Sequence, residues 1–560
     1  MKNKNRSWKK SLLIALIILF PLDTGFIVGT IHYQETSRNS DFPIIPRPSR
    51  LIPKTGAFIL SSDFIIYVDN SSNEIRELGQ YFADKLDNSW DHEIEVKNNS
   101  GYIASNSTLQ LKLNSSLDIL NEEGYNLEIS EFSIEILAKT PTGIFHGLQT
   151  LLQLFPPSIE KQNGLASQDL IPLACVQIQD NPRFPYRGMH LDVGRHFFPV
   201  SFIKKYIDLL ALYKFNTFHW HLTEDQGWRV EIKNYSKLTE VGAYRTDNKG
   251  VTYGGFYTQN EIREMVEYAA KRYITIIPEI EMPGHSLAAL ASYPELSCTG
   301  GPFNVPTNWG IYEDVFCAGN DAVFEFLENV LLEIMDLFPS HYIHIGGDEC
   351  AKIRWKTCPK CQTRIMEEGL YDENDLQNYF ISRINDFLQF HNRSLIGWNE
   401  IIEGGLVENA TVMAWNSWDA AIEAARSHHD VIMTPTDYCY FDYYQGNPQS
   451  EPKAIGGYTP LSKVYAFEPI PPELNSEEEQ YIIGAQGNVW TEYIQTPSQV
   501  EYMSVPRLCA LAEVVWSDKC LKDWNHFESR LWKNYELLNT MDVTYSLSSL
   551  LPYNLIFPYP

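Results

Sequence analysis

The chain has 560 residues, a formal net charge of −27, 44% hydrophobic and 13% aromatic content. That charge opposes the approach of nucleic acid or any other polyanion and leaves a neutral partner as the better fit. The length exceeds what one barrel needs, so a further domain has to be placed.

The amino terminus, MKNKNRSWKK then SLLIALIILFPL, is basic and then apolar over roughly a dozen residues, short for a membrane span. Residues 1–30 are therefore expected to be a signal peptide, which makes the protein exported: secreted, periplasmic or lysosomal. Apolar character continues from Gly25 to Ile31, so an uncleaved anchor holding the protein to a membrane is the alternative. Seven Asn-x-Ser/Thr sequons follow, at Asn70, Asn98, Asn106, Asn114, Asn234, Asn392 and Asn409, a count little above chance here, so glycosylation stays open.

Residues 41–180 carry short alternating runs (AFILSSDFIIYVD, STLQLKLN, GYNLEISEFSIEILAK) and then the helix-like GIFHGLQTLLQLF, the pattern of a small α+β domain. A Pro-rich stretch, DNPRFPYRG, marks a junction near residue 181. From there to about 525, eight apolar runs are expected to be strands: Arg187 to Val193, Phe215 to Leu222, Ile274 to Ile280, Tyr342 to Gly347, Leu395 to Trp398, Thr411 to Trp415, Val431 to Pro435 and Ile482 to Trp490. Helix-period segments such as FIKKYIDLLALYK and NEIREMVEYAAKR separate most of them. The repeat predicts an α/β fold, a (β/α)8 TIM barrel preceded by the smaller domain. Only a dozen residues separate Trp398 from Thr411, so one unit has to be abbreviated. Residues 526–560 read as a carboxyl-terminal helix and tail.

In such barrels the site is built at the carboxyl ends of the strands. Polar and aromatic residues gather there, above all in YIHIGGDE, where a buried-looking strand breaks at two glycines and delivers Asp348 and Glu349 side by side. Two adjacent carboxylates repel each other and lose hydration, which raises the proton affinity of at least one. A solvated loop explains a lone acid pair equally well. The recurrence of polar strand ends along the chain favours chemistry.

The nine cysteines are too few for a disulfide scaffold, and their odd number leaves at least one unpaired. Cys298 and Cys317 flank one loop and suit a disulfide in an exported protein. Cys358 and Cys361, in CPKC, form half of a zinc motif, but no second CxxC or HxxxH accompanies them; a disulfide or free thiols is the expectation, and no metal or cofactor is assigned.

RGMHLDVGRHFFPV, KFNTFHWHLTEDQGWRVEI, IPEIEMPGHS, HIGGDE, GWNE, AWN and GAQGNVWTEY, in this order and spacing, resemble the β-N-acetylhexosaminidases of glycoside hydrolase family 20, strongly from Asn181 to Ser517 and more weakly before. The resemblance implies removal of terminal non-reducing β-linked GlcNAc, and GalNAc, from glycans or chito-oligosaccharides. It also implies a retaining, substrate-assisted mechanism, in which the sugar's own acetamido oxygen attacks C1 to give an oxazolinium and no protein nucleophile is needed. Glu349 would be the general acid and then base. Asp348 would orient the acetamido N–H and offset the charge on the oxazolinium. Arg187 would grip sugar hydroxyls, His285 and Asp225 would form a relay to the acid, and Trp398, Trp415 and Trp490 would wall the sugar. Tyr440 would hold the attacking oxygen, Asp442 a hydroxyl, and Glu492 the arginine and a hydroxyl.

Bland readings stand beside these: a surface salt bridge for Arg187, a core-satisfied His285, three core tryptophans, a solvated Glu492. The chain departs from the common pattern at Glu224 and Glu281, where aspartates are frequent, and between Asp442 and the last strand, where no Trp stands and Tyr458 is the substitute on offer. A lacto-N-biosidase-like member and an inactive carbohydrate-binding barrel are the alternatives. Assembly as a homodimer stays open.

Overall fold

Eight short apolar runs pair in sequence order into a closed parallel barrel. They are β1 (Tyr186–Asp192), β2 (Thr217–His221), β3 (Thr275–Met282), β4 (Tyr342–Gly346), β5 (Ser394–Trp398), β6 (Thr411–Ala414), β7 (Val431–Met433) and β8 (Ile482–Gly487). β8 returns to β1 with Tyr186 opposite Gly484, which closes the ring. The computed structural model describes residues 15–22, 25–32, 42–69, 72–90, 92–99, 107–165 and 170–548.

The strands are largely buried because both faces are covered, by packed side chains within and helices without; every residue of β1 and β2 is buried, the polar His190, His219 and His221 included. The covering helices include Val200–Leu212, Gln259–Ala270, Asp321–Leu337, Glu373–Phe390, Trp418–Arg426 and Arg507–Trp516. Gln259–Ala270 starts where it does because the Thr258 side chain accepts from the Glu261 N–H while the Glu261 carboxylate accepts from the Thr258 N–H. The expected abbreviated unit is present: a 3-10 turn, Asn399–Ile402, stands between β5 and β6 in place of a helix.

Ahead of the barrel lies a seven-stranded mixed sheet, in spatial order Arg50–Leu60, Ile171–Asp180, Tyr125–Ile129, Ser133–Ala138, Thr108–Leu113, Ile65–Val68 and Glu95–Asn98. Two helices, Asn73–Trp90 and Pro141–Leu154, bury their apolar stripes against it. The carboxyl-terminal helix Trp524–Thr540 is no appendage. Its Arg530 donates to both oxygens of Glu513 at 2.7 and 2.8 Å and to the Ile44 carbonyl at 2.7 Å, joining the barrel, the first sheet's leading segment and the tail.

The expected leader lies largely outside the described residues; two stretches of it, Ala15–Leu22 and Gly25–His32, pair as an antiparallel ribbon. Among the described residues, no helix is long and apolar enough to cross a membrane.

Candidate active site

β4 ends at Gly346 and Gly347, with φ of 71° and 89°. A Cβ on Gly346 would sit 1.8 Å from Glu281 Oε2, so the buried Glu281 carboxyl and this left-handed backbone together demand glycine. The turn then delivers Asp348 into the barrel mouth and Glu349 toward solvent. Glu349 has φ of 45°, as does His285, and two non-glycine residues held in the left-handed region at one place mark a site whose surroundings impose the conformation.

His285 joins the two acids to the second strand. Its Nδ1 lies 2.8 Å from Glu224 Oε1 and 3.1 Å from Asp225 Oδ2, and its Nε2 lies 3.4 Å from Glu349 Oε2 and 3.7 Å from Asp348 Oδ2. Asp225 is fixed in turn by the Leu287 N–H at 2.9 Å. Burial disfavours the imidazolium, but the Glu224 charge and the bonds to Asp225, Glu224 and Glu349 outweigh it and push the His285 pKa well above its ordinary value. Asp348 is pushed up to about 7, mainly by burial, against the pull of His285 and with the charges of Glu400, Glu279 and Glu349 adding to it. The two acids therefore differ in kind. Asp348 is an enclosed carboxyl near neutrality, and Glu349 is the exposed one.

Aromatic rings wall the mouth. Trp415 stacks on Tyr440 at 6.0 Å between centroids, Tyr440 lies 6.5 Å from Trp490, and Trp490 lies 5.6 Å from Trp398. Trp398 is the most deeply set, donating its indole N–H to Glu279 Oε1 at 2.8 Å. Glu279 also meets His344 Nδ1 at 2.8 Å, His219 Nε2 at 3.1 Å and His221 Nδ1, a polar layer that supports the floor. Asp442 is buried with one carboxyl oxygen unpartnered, and burial together with the Glu492 charge raises its pKa well above the ordinary range.

Of the expected residues, Asp348, Glu349, His285, Asp225, Trp398, Trp415, Tyr440, Asp442, Trp490 and Glu492 are found at this mouth. Arg187 is not. It is the second residue of β1, at the amino end of the barrel, and is fully buried. Its Nε donates to the Lys214 carbonyl at 2.8 Å, its Nη1 to the Phe184 carbonyl and to Glu123, and its Nη2 to Glu123, while the guanidinium lies 4.9 Å over the Trp516 ring. A cation so committed at the opposite end cannot touch a substrate. The arginine at the mouth is Arg195, three residues past the carboxyl end of the same strand. It meets Glu224 at 3.1 Å and Asp192 at 3.4 Å, lies 5.0 Å over the Trp490 ring, and feels the Glu492 charge.

Glu400 was also missed. It accepts from the Trp415 indole N–H at 2.9 Å and from Asn416 at 3.1 Å, positioning that wall. The signal was present in GWNE, which ends in an acid just past β5. Tyr458 is exposed and its backbone bridges to Tyr444; the tyrosine ring packed beside Tyr440 is that of Tyr443, at 5.7 Å. Three sets at the mouth, His285 with Asp348 and Glu349, His285 with Glu224 and Asp225, and His221 with Glu224 and Glu281, converge closely enough to hold a cation. The imidazole nitrogens of His221 and His285 already face carboxylates. A separate cavity of about 800 Å³ opens at the amino end, lined by Tyr186, Asn216, Thr275, Tyr342 and Asp430, and lacks a paired-acid arrangement.

The chain matches the catalytic domain of glycosyl hydrolase family 20 over residues 184–519 and that family's domain 2 over residues 41–181. It is 47% identical to a β-hexosaminidase of Porphyromonas gingivalis over 491 residues, 87% of this chain and 62% of that protein, so it spans less than two thirds of that relative's length. Among solved structures, the family 20 β-N-acetylhexosaminidase from Streptomyces coelicolor A3(2) superposes with a TM-score of 0.81 at 31% identity, covering 91% of this chain and 99% of that one. A mutant Streptomyces plicatus β-hexosaminidase in complex with its product GlcNAc gives 0.80 at 31% identity, covering 91% and 98%. The chain therefore belongs to glycosyl hydrolase family 20, as a glycoside hydrolase of the β-N-acetylhexosaminidase type.

Proposed function

We propose that the chain removes terminal non-reducing β-linked GlcNAc, and GalNAc, from glycans or chito-oligosaccharides by substrate assistance. The observation that carries this is the unequal acid pair: Asp348, enclosed and near neutrality, beside Glu349, exposed and linked to the His285 relay. An ordinary retaining enzyme sets two carboxylates across the scissile bond about 5 Å apart, one of them a nucleophile; here one acid is turned into the mouth, where an acetamido group would lie.

In this reading the acetamido oxygen, held by the Tyr440 hydroxyl, attacks C1 as the glycosidic C1–O bond breaks. Glu349 gives its proton to the leaving oxygen. Asp348 accepts from the acetamido N–H and offsets the positive charge that spreads over the oxazolinium, in an enclosed site where such a contact counts most. Glu349, now a carboxylate, takes a proton from water as the water oxygen attacks C1, and the ring reopens with the configuration retained. Trp398, Trp415 and Trp490 enclose the acetamido group and the sugar face. Arg195, Glu492 and Asp442 bind the hydroxyls, and Asp225 holds His285.

Chromogenic GlcNAc, GalNAc and glucose β-glycosides, together with a thiazoline analogue of the cyclised sugar, test the reading. Fast turnover of the two acetamido sugars, little of glucose and strong thiazoline inhibition are expected. Equal turnover of glucose, or thiazoline binding no better than free GlcNAc, would point to a two-carboxylate enzyme. Export is supported by the basic and then apolar leader, with membrane anchoring as its alternative; fractionation of cells producing the full chain, with amino-terminal sequencing, checks both.

A further inference from the structure

Four cysteines that sequence spacing does not link are brought together beside the catalytic barrel. Cys298 and Cys317 bound the long loop after β3, and Cys358 and Cys361 open the helix Pro359–Glu368 that follows β4. Cys298 Sγ lies 3.7 Å from Cys361 Sγ, and Cys317 Sγ lies 3.7 Å from Cys358 Sγ and 3.6 Å from Cys361 Sγ. All four sulfurs fall within 4.8 Å of one another; three of these cysteines are buried and Cys298 is half-buried.

Sulfurs in a disulfide lie about 2.05 Å apart. Four thiolates placed about 2.3 Å from one zinc ion occupy the corners of a tetrahedron with edges of about 3.8 Å. Three of the six separations here match that edge, and all six stay within 4.8 Å. One feature of the backbone fits the same reading. A Cβ on Gly319 would come within 2.2 to 2.4 Å of the Lys360 carbonyl and the Cys361 nitrogen, so the two ligand-bearing segments approach as closely as glycine permits.

We propose that Cys298, Cys317, Cys358 and Cys361 form a structural zinc site. Binding displaces the proton of each thiol that ligates, and the four protein ligands leave no open position for substrate, so the contribution is mechanical. The clip fixes the loop from Cys298 to Cys317 to the helix after the strand that bears both acids. That loop reaches the mouth of the barrel: the Asn308 carbonyl accepts from Gln226 at 2.9 Å, next to Asp225, and the Trp309 ring lies 5.6 Å from His196 and 5.1 Å from the Arg245 guanidinium. Asp314 pairs with Arg354 at 3.0 Å, and the Phe316 carbonyl accepts from Trp355 at 2.9 Å, which adds two further ties between the same segments. The rim beside Asp225 is thus held by the metal from outside the reaction.

The full chain, produced in zinc-containing medium and purified without chelator, should carry about one zinc per molecule through desalting, as a closed four-cysteine site does. The same sample, denatured and alkylated without reductant, should show all four cysteines alkylated in peptide mass mapping. The Cys358→Ser/Cys361→Ser variant should lose the zinc, melt at lower temperature and raise KM several-fold more than it lowers kcat. Disulfide-linked peptides among the four, or free thiols without stoichiometric zinc, overturn the proposal. The metal count and thiol mapping need only the unaltered protein, so a variant that fails to fold does not shield it, and both are independent of the reading of the activity.

Discussion

Asp348 and Glu349 are bonded neighbours, yet the left-handed turn at Glu349 sends one carboxyl inward and leaves the other exposed. If Glu349 is the proton donor, Glu349→Gln should nearly abolish cleavage of chitobiose while keeping more of the rate on an aryl glycoside, whose leaving group needs little protonation. Asp348→Asn should slow both substrates alike, by about 10²-fold or more, since it removes one preorganised contact to the developing charge. Measured on both substrates, a leaving-group dependence in Asp348→Asn and none in Glu349→Gln would reverse the roles. The same residue makes a stability statement. A carboxyl at about 7 in the native state, against roughly 3.9 in the unfolded chain, binds more protons when folded between those values. Asp348 therefore lowers stability as pH rises from about 4 to 7 and costs most above that window. Asp348→Asn has no charge to bury, so at pH 8 it should be more stable than the unaltered protein by on the order of 4 kcal/mol and melt at a higher temperature, with the gap closing near pH 4. A gap that does not depend on pH would contradict the burial of a titrating Asp348.

Strands were the most legible elements, because a barrel strand covered on both faces must be a short apolar run, and eight such runs with helical spacers admit few closures. The site was legible where its residues close a strand, as Trp398 does for β5 and the Gly346 turn does for β4. It was misread at β1, where RGMHLDVGR offers two arginines with one strand between them. Direction decides: Arg187 enters the strand and Arg195 lies past its exit, and the exit is where these barrels bind. The four-cysteine cluster was illegible for a different reason. Its halves come from different βα units, and only the closed barrel brings them together. The two arginines give different kinetic expectations. Arg195→Ala should reduce kcat/KM by about 10- to 100-fold, as the loss of a charged hydrogen bond to substrate does, and should also lower the melting temperature, because the buried Glu224 and Asp192 carboxylates lose their cation. Arg187→Ala should leave KM alone and destabilise by on the order of 3 kcal/mol, because it strips the partner from Glu123 at a buried junction. Steady-state kinetics on both variants separate the two ends of β1; a KM effect in Arg187→Ala would restore it to the site.

At the scale of the whole molecule, the first sheet and the barrel are joined through buried charge as well as apolar packing. Asp180, the last residue of a sheet strand, accepts from Lys214 at 3.2 Å, from the Tyr125 hydroxyl at 2.8 Å and from the Trp516 indole at 3.0 Å. Lys214 is fully buried, and burial lowers its pKa even with Asp180 opposing. Its ammonium also reaches the Tyr125 hydroxyl at 2.9 Å and lies 4.7 Å over the Trp516 ring, so one cation touches the sheet and the helix behind β8 at once. Such a knot contributes little net stability while complete, because its desolvation offsets its attraction, but breaking one side leaves an uncompensated buried charge. Asp180→Asn keeps the shape and removes that charge, and should cost about 3–5 kcal/mol. Because Lys214 and Trp516 belong to the barrel and Tyr125 to the sheet, the loss should fall on both. Calorimetry is expected to show one transition in the unaltered protein and one, shifted down, in Asp180→Asn, with KM unchanged for the folded fraction. Two separate transitions, with only the first moved by the substitution, would mean that the sheet and the barrel unfold independently and that the buried pair does not couple them.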